Sequence, residues 1–142
     1  MGNKYNTEIL NEKILKSDNL KEFLDLHKND INMTSFSNAL HSFIEAKEMK
    51  NTEFFTASGL NESYGYQLLN GKRQPSRDKA LQSSFGLSLN VAETNSLLRL
   101  AEKSELYVRN KRDAIILYAI NNSLTLLETN LLLDGENEII IQ

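Results

Sequence analysis

Residues 88–98 read SLNVAETNSLL and residues 123–133 read SLTLLETNLLL, with seven of the eleven positions identical at an offset of 35. Arg77-Asp78 and Arg112-Asp113 stand ahead of them at that same offset. A chain that repeats itself must fold both copies alike, because the same alternation of apolar and polar residues has the same face to bury. Each copy reads as a helix, a short turn and a second helix. The second helix opens on a capping box, Asn90 with Glu93 and Thr125 with Glu128, in which the cap side chain and the carboxylate accept from each other's backbone N–H. Helix starts draw on few residue types, so two unrelated capped hairpins could look similar; seven identities in eleven favour a duplication. The second copy contains AIILYAI, Ala114 to Ile120, apolar around most of a helix circumference. Such a helix is either central or covered by a partner. Ile139-Ile140-Ile141 then forms an apolar tail that could dock on the core or on another subunit.

The rest of the chain offers little except helix. One proline and six glycines in 142 residues leave long stretches without a breaker, and 40% apolar with 25% charged residues fits a chain that packs a core. We expect an all-α helical bundle, residues 1–142 as a single domain. Residues 1–32 form an N-terminal extension in this reading, with amphipathic pieces at Thr7–Lys16 and Asn19–Lys28. A core follows over 33–100, and 101–142 supply the C-terminal hairpin and tail. In the core, Phe36, Leu40, Phe43 and Ile44 recur at helical spacing and must face inward.

The chemistry, if any is legible, lies in SGLNESYGYQLLNGKRQPSRDK, residues 58–79. A helix over Asn51–Ser58 stops at Gly59, another over Asn61–Asn70 stops at Gly71, and only a tight turn separates them. Two short helices joined by a tight Gly-containing turn are the helix-turn-helix arrangement, whose second helix enters the DNA major groove. The net charge of −3 disfavours indiscriminate nucleic-acid binding. Local charge is what meets phosphate, however. Residues 49–79 carry five basic and three acidic side chains, against six and eight before them and five and eight after.

Residues Met49 to Lys79 resemble the XRE family, the phage-repressor type of helix-turn-helix. The resemblance rests on Ser58-Gly59-Leu60 after the first motif helix and on Asn70-Gly71-Lys72-Arg73-Gln74-Pro75-Ser76 after the second. It implies a sequence-specific double-stranded DNA-binding transcriptional regulator, acting as a homodimer on paired half-sites. Glu62, Ser63, Tyr66 and Gln67 would face base edges, and Asn51, Asn70, Lys72, Arg73 and Arg77 would hold phosphates. Glu62 reads equally as a carboxylate placed to favour the helix dipole. The sequence departs from the family at Phe55, where a small residue is usual, and at Gly65, where a β-branched one is. Either the ring fills the space of the missing side chain, or Gly65 merely weakens its helix.

Other function classes find less support. His27 and His41 lie in separate helices without a carboxylate partner or ligand spacing and are expected at the surface or its boundary. No phosphate-cradling glycine loop is present, so neither an enzyme nor a cofactor or metal site is expected. There are no cysteines to form disulfides or bind zinc. No leader or membrane-length apolar run is seen, so a cytoplasmic protein is expected. The serious alternative to a DNA regulator is a protein-interaction adaptor on the same scaffold, since a fold hosts many functions.

Overall fold

The structure, a computed structural model, describes residues 6–27 and 34–142. Its regular elements there are helices: α1 Thr7–Lys16, α2 Leu20–Leu26, α3 Phe36–Ala46, α4 Asn51–Ser58, α5 Glu62–Leu69, α6 Arg77–Gly86, α7 Val91–Leu100, α8 Lys111–Asn121 and α9 Leu126–Gly135. The all-α expectation holds. The chain divides into two compact units, Met1–Thr34 and Ser35–Gln142, where the sequence suggests a single domain. The reason is the core: every member of the main apolar cluster lies between Phe36 and Ile141. Residues 33–100 and 101–142 are not separable in the same way, because Ile116, Leu133 and Ile141 belong to that one cluster.

In the first unit Asn6 caps α1, its side chain accepting from Ile9 N at 2.8 Å, and Asn19 caps α2 through Glu22 N at 3.0 Å. His27 lies one turn beyond Phe23 and shares its face. Their ring centroids are 4.8 Å apart. His27 is therefore buried at 2% exposure and is not the surface or boundary residue expected.

The larger unit is built from one connection used three times. After α3 the chain passes through Glu48 at φ +53°, after α6 through Ser88 at +53° and after α8 through Ser123 at +55°. In each turn two backbone N–H groups satisfy the helix-end carbonyls. Met49 donates to Ile44 O at 3.1 Å, Leu89 to Ser84 O at 3.0 Å and Leu124 to Ala119 O at 3.0 Å. A carboxylate at the third position of the following helix then accepts from the cap residue, Glu53 from Lys50 N, Glu93 from Asn90 N and Glu128 from Thr125 N. Two packed helical hairpins result, α6–α7 and α8–α9, while the same connection between α3 and α4 sends them to different neighbours, α3 to α5 and α7, and α4 to α5 and α6.

The two sequence copies pair about a local twofold relation. Arg77 grips Asp113 with two hydrogen bonds of 2.9 Å, and Arg112 grips Asp78 at 3.1 and 3.0 Å. Arg77 also donates to Ser104 O and Glu105 O, and Arg112 to Ile139 O and Ile140 O, carbonyls 35 positions further on. Asn95 accepts from Leu106 N, and Asn130 from Ile141 N. Tyr107 N donates to Asp113, and Gln142 N to Asp78. Each of these contacts of one copy has its counterpart in the other, which is the behaviour expected of a duplication. The tail docks within the chain: Ile141 is 2% exposed, held by the same Asn-to-backbone bond that holds Leu106.

Candidate nucleic-acid interface

Helix α4 begins at Asn51 and ends at Gly59, whose φ of +68° is the left-handed stop that a side chain would strain. Gln82, buried on α6, donates from Nε2 to Ser58 O at 3.0 Å and thereby holds the end of α4 against α6. The approach is close there. A methyl group built on Gly86 would overlap the Ser58 hydroxyl and lie 2.9 Å from its backbone nitrogen. Leu60 is buried as the middle residue of the turn, and Asn61 caps α5 by accepting from Tyr64 N at 2.8 Å. At the far end of α5, His41 of α3 donates from Nε2 to Leu69 O at 2.8 Å. Both motif helices are thus tied at their C-terminal ends by side chains from outside the motif.

Phe55 and Gly65 meet as opposed surfaces of α4 and α5. A Cβ on Gly65 would lie 2.8 Å from Phe55 Cζ and closer still to Cδ1 and Cε1, so the ring occupies the space of the absent side chain. Phe55 is 3% exposed, and Tyr66 packs edge-on to it at 5.0 Å between centroids. Gly65 does more than weaken its helix: it admits the ring.

The outward side of α5 presents Glu62, Ser63 and Tyr66 to solvent, with Gln67 half-buried. Glu62 makes no ion pair among the described residues and sits in the first helical turn. Asn70, Lys72 and Arg73 are exposed in the segment that follows. Arg73 folds back: its Nε donates to Gln67 Oε1 at 2.7 Å, and its guanidinium lies 5.7 Å from the Tyr64 ring centroid. Lys79 reaches the same ring at 5.6 Å. Both distances are within the range of cation–π attraction. Burial pushes the Tyr64 hydroxyl above its ordinary pKa, and the charge of Arg73 offsets part of that.

Two expected phosphate contacts are not bonded into this group. Asn51 is half-buried at the start of α4, with no hydrogen bond to the α5 cluster. Arg77 is withdrawn, because its Nε, Nη1 and Nη2 already donate to Ser104 O, Asp113 and Glu105 O. Its role is to join the two repeat copies. Gln82 and His41 were not legible as site-positioning residues: each acts on a backbone carbonyl more than 20 residues away, and their sequence neighbourhoods carry no trace of it. No family model, curated protein or solved structure matches the chain, so the likeness to the XRE family rests on the motif residues alone.

Proposed function

We propose that this chain is a sequence-specific double-stranded DNA-binding transcriptional regulator that lays α5 in the major groove. The observation that carries the reading is one surface: the exposed polar side of α5 runs directly into the Asn70–Arg73 segment, with Arg73 bonded to Gln67. Side chains in the groove specify sequence and cations beside it position the protein. Gln67 would pair with adenine, Ser63 with several bases, and Glu62 with cytosine N4. Tyr66 stands beside them with its ring braced on Phe55. Asn70, Lys72 and Arg73 would contact phosphates, with Asn51 at the start of α4; Arg77 drops out of that set.

Binding of the purified protein to fragments of its own genome over a salt series tests the reading. Arg73→Ala should weaken binding to every fragment and reduce the magnitude of the salt slope by about one. Gln67→Ala should relax discrimination at one base position by about 1–3 kcal/mol and leave non-specific binding nearly intact. Absence of any salt-dependent binding by the wild type would overturn the reading in favour of a protein-interaction adaptor.

A further inference from the structure

At the end of α5 the chain turns back on itself. Gly71 stands at φ +73°, its N–H donates to Leu68 O at 3.2 Å, and Lys72 N donates to Gln67 O at 2.9 Å. This left-handed stop closes the helix and returns the chain beside its last turn. Arg73, two residues on, meets the side of α5 on which Tyr64 and Gln67 follow each other three positions apart. Both of those side chains are half-buried. Arg73 is held by each: its guanidinium is 5.7 Å from the Tyr64 ring centroid, and its Nε–H donates to Gln67 Oε1 at 2.7 Å. So short a bond is expected when the donor is charged.

We infer that Arg73 sets which base Gln67 reads, by holding its amide in one of two orientations; the inference rests on α5 entering the major groove. A glutamine amide presents an oxygen on one side and an NH2 on the other, and half a turn exchanges them. A guanidinium has donors and no acceptor, so only the oxygen can face Arg73. Gln67 Nε2 is thereby turned away as a donor, and Oε1 keeps its second lone pair. A donor and an acceptor side by side match adenine, whose N7 accepts and whose N6 amino group donates. Guanine would set O6 against the fixed Oε1, two acceptors face to face, and thymine would offer O4 and a methyl group. An unrestrained glutamine evades both mismatches by turning its NH2 toward the base oxygen. With Nε–H on Gln67, the Nη groups of Arg73 can still donate to a phosphate, so one side chain ties a backbone contact to a base contact. Arg73 is here a positioning residue: it acts on the base through Gln67.

Binding-site selection at matched salt on wild type, Gln67→Ala, Arg73→Ala and the double variant tests this. Wild type should select adenine at one position. Each single variant should relax that preference on the order of tenfold, at the same position. The double variant should relax it no further than Gln67→Ala, because the two side chains act there as one unit. Lys72→Ala, which removes the neighbouring cation, should weaken binding to all sequences and leave the preferences unchanged. The contact itself is checked without DNA: by NMR, Arg73 Nε–H should exchange with water more slowly in wild type than in Gln67→Met. Equal exchange in those two proteins overturns the inference. So does an Arg73→Ala protein that binds every fragment more weakly but keeps the wild-type preference, which would leave the DNA reading standing and assign Arg73 to phosphate alone. A wild type that binds no DNA sinks the DNA reading and this inference with it, whatever the exchange rates.

Discussion

Phe55 and Gly65 show how two residues that each break the expected motif pattern can be right together. A glycine inside a helix is less favourable than alanine by about 1 kcal/mol, yet any Cβ there would strike the Phe55 ring. Gly65→Ala should therefore destabilise the wild type, because the ring is 3% exposed and has no free space to retreat into. In a Phe55→Ala background the same change should stabilise, by up to the helix-propensity difference of about 1 kcal/mol. Urea unfolding of the four proteins checks this reversal of sign. Effects that add to within about 0.5 kcal/mol would mean that the two positions do not share a space. Both departures are visible in the sequence; that they touch is a matter of helix placement.

Among the elements, the repeated hairpins were legible where their caps use ordinary cap residues. Asn90 and Thr125 announce α7 and α9, and the Arg-Asp pairs fix the offset. The α3–α4 connection has the same turn but nothing in the sequence announces it, because Lys50 stands at the cap and Glu48 takes a positive φ that sequence patterns assign to Gly or Asn. The partners of Arg77 are hidden from the sequence for a related reason. It follows a basic loop in the sequence, while its true partner Asp113 is 36 positions away. The reciprocal pairs predict graded energetics: Arg77→Gln should cost about 2–3 kcal/mol, since it leaves the buried Asp113 carboxylate short of its charged donor, and Arg112→Gln should cost less, since Asp78 is only half-buried. Acid should expose the same device. Burial pushes the Asp113 carboxyl up, but hydrogen bonds from Arg77 and Tyr107 N–H, with the charges of Arg77 and Arg112, outweigh it and hold the group below the usual carboxylate range. A depressed pKa in the folded state contributes stability above the ordinary carboxylate pKa, and that contribution is lost as pH falls through the folded value. The wild type should thus lose urea resistance on acidification more steeply than Arg77→Gln, in which most of this contribution is already gone. Parallel pH profiles for the two proteins would contradict it.

For the whole molecule the governing fact is an island of positive charge between two acidic stretches, with a carboxylate on the helix proposed to enter the groove. The all-helical fold and the motif helices follow from apolar spacing and from Gly59 and Gly71, so both could be read in advance. What Glu62 does could not, because helix stabilisation and base recognition ask for the same residue at the same place. Its exposure and lack of an ion partner among the described residues leave both roles physically open to it. Neutralisation separates them. If Glu62 only favours the helix dipole, Glu62→Gln should tighten binding to every DNA sequence by removing a negative charge from the phosphate field, at a stability cost of about 0.3–1 kcal/mol. If Glu62 accepts from cytosine N4, the same variant should lose preference for that base by about 1–3 kcal/mol and gain elsewhere, because a carboxamide pairs better with adenine. A binding-site selection run on both proteins at matched salt distinguishes a uniform shift in affinity from a changed preferred sequence. The second outcome is the one expected of a helix that reads bases, and identical preferences with uniformly tighter binding would assign Glu62 to the helix alone.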